Sequence, residues 1–155
     1  MIRAATVADI QSIQQVAVLT WRHTYQGLLP PKLQQQFLAF DYNYRQLHKR
    51  ITTTSFFVAE VDGHIVGFAH FINEDRTELE ALYVLPTAQQ QGIGRALLGA
   101  GIDDLQPETL YVRVLQSNTP AIRFYERQGF CDVSTEHFSV SEGTFDIQLM
   151  KKMIQ

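Results

Sequence analysis

The sequence predicts an α/β (α+β) fold, and three stretches carry that prediction. Residues 56–72 read as two strands around Asp62-Gly63, a strong hairpin signal. Residues 79–85 form an apolar run ended by Pro86, after which a polar turn leads to Gly92-Ile93-Gly94 at the head of a helix. Residues 109–115, T-L-Y-V-R-V-L, form a further strand after Pro107. Strand, helix and strand in that order imply a parallel, right-handed crossover, here joined to an antiparallel meander. The 155 residues fit one domain with a sizeable core, taken as spanning 1–155.

From the start of the chain, residues 2–5 are a short strand candidate, and Thr6-Val7-Ala8-Asp9 reads as a capping box before a helix. Ile10, Ile13, Val16, Ala17 and Thr20-Trp21 then recur at helical spacing and define an inward face. Gly27 and the pair Pro30-Pro31 break that helix, and Trp21, His23 and Tyr25 give the break an aromatic, polar lining. Helices are expected over about residues 31–40 and 44–51, followed by strands over 56–61 and 64–72. The helix after Gly94 is apolar around most of its girth, which predicts cover on both faces. Asn118 is a good N-cap, Pro120 suits the first turn and Gly129 suits a C-terminal stop, so a helix lies between them. Residues 130–136 and 144–151 complete the chain as two strands, with Cys131 at a buried strand start.

Composition narrows the function classes. Hydrophobic residues make up 45% and charged residues 19%, as in a soluble globular protein. A net charge of -3 does not indicate a nucleic-acid partner and instead suits a cationic substrate. Cys131 is the only cysteine, so no internal disulfide forms, which suits a cytoplasmic location. No stretch approaches 18 apolar residues and no leader is seen, so no membrane partner is expected. The five histidines do not cluster at zinc-ligand spacing, so no metal is expected.

The strand, glycine turn and helix start between Glu78 and Leu98 make an anion site. Free backbone N–H groups converge there and the helix dipole adds partial positive charge. The turn is not a P-loop, because Arg95 follows Gly94 and no G-K-[ST] occurs. It is not a Rossmann fingerprint either, because position 97 is Leu. What fits is Q-x-x-G-x-G over Gln89 to Gly94, which resembles the acetyl-coenzyme A motif of the GNAT N-acetyltransferase superfamily, as found in small bacterial members. A second string, N-x-x-A-x-x-F-Y-x-x-x-G-F from Asn118 to Phe130, is similar to that family at the expected separation. W-x-x-T-Y-x-G-x-x-P, starting at Trp21, resembles a third family string.

The resemblance implies a GNAT acyl-CoA N-acyltransferase fold, with a mixed central sheet of about seven strands flanked by about four helices. It implies an enzyme that uses acetyl-CoA as co-substrate. Leu82, Tyr83 and Val84 would offer backbone groups to pantetheine, and Gln89, Gln90, Gln91, Gly92, Ile93, Gly94, Arg95 and Ala96 would cradle the phosphates. Asn118, Ala121 and Phe124 complete the cofactor wall, with Asn118 holding pantetheine, capping the helix, or both. Gln90 stands where Gly is common in the family and would narrow the turn. Tyr125 matches the tyrosine that donates a proton to the leaving thiolate. Glu78 and Glu80, two apart on a strand, share one face and are both candidate bases, with Glu80 favoured for substrate binding. Trp21 and Tyr25 line the acceptor loop or serve as core aromatics, and His70 is either a substrate contact or a core residue.

The expected reaction is direct acetyl transfer to a primary amine of a small cationic substrate, polyamine-like or otherwise. A protein or peptide N-acetyltransferase, a non-catalytic acyl-CoA binding module and a nucleotide-binding regulator are the rivals. A homodimer is compatible with the sequence, which does not specify one.

Overall fold

The computed structural model describes residues 1–154. Its strands form one seven-stranded sheet, built from β1 (Ile2–Ala4), β2 (Ser55–Val61), β3 (His64–Asn73), β4 (Thr77–Val84), β5 (Thr109–Leu115), β6 (Cys131–Val140) and β7 (Gly143–Met153). Their spatial order is β1-β2-β3-β4-β5-β7-β6. Only β4 and β5 run parallel; every other neighbouring pair is antiparallel. The parallel pair is the one joined by a helix, as the crossover argument requires.

Five α-helices cover the sheet rather than about four: α1 (Ile10–Tyr25), α2 (Pro31–Asp41), α3 (Tyr44–Thr53), α4 (Ile93–Leu105) and α5 (Thr119–Arg127). The helix forecast near residue 44 is a separate element because Asn43 caps it, its side chain accepting from the Gln46 N–H at 2.9 Å. The side chains of α1 and α3 pack with Phe56, Val58, Phe68 and Ala81 on one side of the sheet. Those of α4 and α5 pack with Phe71, Leu79, Leu110, Val112 and Met150 on the other.

At the N-terminus, the Asp9 carboxylate accepts from the Thr6 N–H at 2.8 Å and from the Arg3 guanidinium at 2.8 and 2.9 Å. The segment Val7–Asp9 is a short 3-10 turn, and α1 begins after it. Arg3 also reaches Glu60 at 2.9 Å, which ties β1 and the start of α1 to β2.

Two expectations are corrected here. The outward side of α4 is open, with Arg95, Ala96, Asp103 and Asp104 exposed, so this helix is covered on one face only. Its apolar girth reflects small residues, Gly99 and Ala100 among them, which leave little surface to cover. Cys131 is exposed rather than buried, because β6 is an edge strand whose first five residues all face solvent.

One glycine is fixed by packing. A Cβ on Gly101 would lie 2.1–2.5 Å from the ring of Phe71, itself only 1% exposed. The Gly101→Ala variant is therefore expected to lose about 1–3 kcal/mol of stability, because a buried ring cannot retreat without disturbing its neighbours. A urea melt with an unchanged midpoint would contradict that packing.

Candidate active site

The site begins with a break in the sheet. β4 pairs with β5 only at Thr77, Glu78 and Leu79, opposite Leu110, Tyr111 and Val112. Beyond Leu79 the two strands part, so the β5-facing backbone of residues 80–84 has no strand partner there. Leu82, Tyr83 and Val84 remain paired to β3 on their other side. The cause is local. Phe71 pairs with Leu79 and His70 with Ala81, so Glu80 is an extra residue in β4, a bulge. Leu79 and Ala81 would share a face in a regular strand, yet they pack in opposite cores. The two-residue spacing of Glu78 and Glu80 therefore no longer fixes a shared face by alternation.

The glycine turn closes one end of this gap. Gly92 caps α4 at φ 80° and Gln90 sits at φ 62°, both left-handed. Gln90 thus holds a conformation that favours glycine. The first helical N–H to find a partner is that of Ala96, which donates to the Gly92 carbonyl at 3.0 Å. Among the described residues, the N–H groups of Gly92, Ile93, Gly94 and Arg95 are left free at the positive end of the helix. The Gln89 side chain donates to the Val84 carbonyl at 2.9 Å, bracing the turn against the strand. Gly94 is close to α5: a Cβ there would lie 3.2 Å from Phe124. An exposed turn with free amides, beside a strand with unpaired backbone, fits an extended ligand with a phosphorylated end.

On the other side of the gap, Asn118 Oδ1 accepts from the Ala121 N–H at 3.4 Å and caps α5. Tyr125, on α5, is 7% exposed and packs edge-on to Phe124 and Phe130, both at 5.3 Å between ring centroids. Burial, reinforced by the neighbouring Tyr25, pushes its phenol well above the ordinary value. The Tyr125 hydroxyl is therefore held in its protonated form at neutral pH. Burial also raises the Tyr25 phenol, and the Asn118 side chain beside it acts in the opposite direction.

The two glutamates have diverged. Glu78 accepts from Arg113 and, at 3.2 Å, from Arg76. Glu80 is exposed and forms no ion pair among the described residues. Loss of hydration, then the charge of Glu78, raises its carboxyl above the usual range, with Arg113 and Arg50 opposing.

A cavity of about 440 Å³ has Arg113, the partner of Glu78, in its wall, while Glu78, Glu80 and Tyr125 are not among its lining residues. Trp21, Tyr25 and Leu29 contribute from α1 and the loop after it, and Phe37 and Asp41 from α2. Arg113 and Leu115 of β5 form the floor, and the β6–β7 hairpin adds Glu136, His137, Phe138, Phe145 and Ile147. Trp21 packs edge-on to Tyr25 at 4.9 Å, and its buried Nε1–H has no hydrogen-bond partner among the described residues.

Of the residues expected at the acceptor, Trp21 and Tyr25 line this cavity and His70 does not. His70 is 3% exposed, stacked on Phe56 at 5.0 Å, with Nε2 2.9 Å from the Thr54 hydroxyl. Burial, and then Arg50, lowers its pKa to about 3, so it stays neutral. Sequence reasoning missed Arg113, Asp41, Glu136 and Phe37. Arg113 had a signal, as the lone charge inside an apolar strand. The others had none, since the hairpin and α2 meet the site only through tertiary packing.

The comparisons agree with this geometry. The model of the acetyltransferase (GNAT) family matches residues 14–130. The uncharacterized N-acetyltransferase YuaI of Bacillus subtilis is 32% identical over 157 residues, covering 90% of this chain and 85% of its own length. The peptidyl-lysine N-acetyltransferase YiaC of Escherichia coli is 33% identical over 137 residues, covering 84% of this chain and 82% of its own. The crystal structure of the PaiA N-acetyltransferase from Thermoplasma acidophilum in complex with coenzyme A superposes with a TM-score of 0.86 at 21% identity, covering 99% of this chain and 98% of that one. The chain belongs to the GNAT acetyltransferase family. It is an acetyl-CoA-dependent N-acetyltransferase with the GNAT fold, and acetyl-CoA is its co-substrate. No helix among the described residues is long and apolar enough to cross a membrane.

Proposed function

We propose that this chain, as a single GNAT domain, acetylates a primary amine of a small cationic molecule by direct transfer. The observation that carries the reading is the gap between β4 and β5, with an unpaired carboxylate, Glu80, on one side and a buried, protonated phenol, Tyr125, on the other. Acetyl-CoA supplies an activated acetyl group. The free amides of Gly92 to Arg95 would hold its diphosphate, and the backbone of Leu82 to Val84 its pantetheine arm. Phe124 and Asn118 would wall the far side, with Ala121 fixed by the Asn118 cap. The Gln90 and Gln91 side chains are exposed at the rim.

Glu80 takes the proton of the bound ammonium, directly or through a water, leaving nitrogen with a free lone pair. Tyr125 hands its proton to the sulfur as the new N–C bond replaces the thioester C–S bond, the acylated nitrogen sheds its second proton to restore the phenol, and Glu80 releases the first to solvent. Glu78, held between two arginines, serves as a charge partner for Glu80 rather than as the base. Trp21 and Tyr25 contact the acceptor.

The name of YiaC motivates a second reading, in which the acceptor is a lysine side chain of a peptide. Release of free thiol from acetyl-CoA with small amines and with lysine peptides tests both. The proposal expects turnover with small amines and little with peptides. Turnover confined to peptides would replace it with the second reading.

A further inference from the structure

The walls of the acceptor cavity are mostly apolar. Trp21, Tyr25, Phe37, Phe138 and Phe145 supply aromatic faces, and Phe37 of α2 meets Phe138 of β6 at 5.8 Å across the opening. Such faces hold an apolar body by burial, and an ammonium by cation–π attraction. The volume of about 440 Å³ is that of a site for a small molecule.

The two carboxylates that line the cavity, Asp41 and Glu136, are both taken. Asp41 is paired with Arg50 at 3.4 Å, and Glu136 with Arg113 at 3.0 Å. Glu78 is held by Arg113 and Arg76, and Asp146 faces His137 at 2.6 Å. Glu80, outside the lining, forms no ion pair among the described residues, and it lies close enough to Arg113 and Asp41 to feel both charges. The Arg113 guanidinium shares the cavity wall with Asp41 and Glu136, and each of those carboxylates already has an arginine partner. A dication would therefore meet repulsion from Arg113, or would have to break an existing ion pair.

From this pairing pattern we infer that the acceptor is a monoamine whose body is apolar, aryl or branched alkyl, and that Arg113 is the residue that excludes polyamines. The inference rests on the small-amine reading above and narrows it. In the transfer, the single ammonium gives one proton to Glu80, the N–C bond forms and the C–S bond breaks with the sulfur protonated by Tyr125, and the second proton shed by the acylated nitrogen restores the phenol. The apolar body stays against Trp21 and Phe138.

The test measures thiol release from acetyl-CoA with 2-phenylethylamine and isoamylamine against spermidine, putrescine and a lysine peptide. The expected result is a kcat/KM for the monoamines at least about tenfold above that for either polyamine. Comparable or greater turnover with spermidine or with the peptide overturns the inference while leaving acetyl transfer intact. Absence of release with every amine, in protein shown by calorimetry to bind coenzyme A, overturns the small-amine reading itself. A second measurement uses Arg113→Gln, which frees Glu136 and leaves Glu78 with Arg76 alone. The spermidine to 2-phenylethylamine ratio of kcat/KM is expected to rise about tenfold. If the variant is folded by circular dichroism and that ratio is unchanged, Arg113 does not exclude polyamines and the inference falls.

Discussion

Replacing Tyr125 with phenylalanine is expected to lower kcat by about 10²–10⁴-fold, the usual contribution of a positioned proton donor. The affinity for coenzyme A is expected to stay within about twofold, since the change removes no backbone contact. The substitution is clean because the phenyl ring keeps its edge-on packing with Phe124 and Phe130. What disappears is the hydroxyl, whose proton burial holds in place far above neutral pH. A thiolate leaving without that proton must find one from water, in a part of the site where Tyr125 is only 7% exposed. Steady-state rates and a coenzyme A titration on the same preparation check the point. Turnover within about twofold of the parent would remove Tyr125 from the chemistry.

The second large effect concerns Glu80. Its replacement by glutamine is expected to reduce kcat/KM by about 10²–10⁴-fold at neutral pH. It is also expected to abolish the acidic limb of the pH profile. The sign follows from the role. A base works only when deprotonated, so activity rises as pH climbs through its pKa. Loss of hydration and the charge of Glu78 raise that pKa, so the limb lies above the range of an ordinary carboxylate. If Glu80→Gln keeps the limb while Glu78→Gln loses it, the base is Glu78. The ion pairs of Glu78 with Arg113 and Arg76 argue against that result, since both arginines already engage the same carboxylate oxygen.

Much of this fold was legible in the chain because local rules and tertiary packing agree. Asp62-Gly63 turns one hairpin, with positive φ at both residues, as the dipeptide predicts. Asn118 caps α5, and Gly129 ends it at φ 96°. The glycine turn was legible for the same reason, since Gly92 takes a backbone conformation that other residues adopt only under strain.

The rest was hidden by interactions between distant segments. The bulge at Glu80 arises from the pairing of β3 with β4, and no period in the sequence announces it. It breaks the face assignment that alternation alone predicted for the two glutamates. Cys131 looked buried because it follows Gly129-Phe130, but strand order puts β6 at the sheet edge. His70 sits in an apolar strand and proved to be core, bonded to Thr54 from the end of α3. Arg113 was visible as a lone charge, but its partners lie on β4 and β6, two strands not adjacent to each other.

The three residue pairs joining β4 to β5 make the middle of the sheet a narrow seam. Two blades, one of four strands and one of three, meet there along a stitch about one helical turn long. In the binding mode proposed above, a guest lying in the opening would supply the rungs that the polypeptide omits, and the co-substrate would act as a structural member as well as a reagent. Occupancy would then stiffen the junction between the blades.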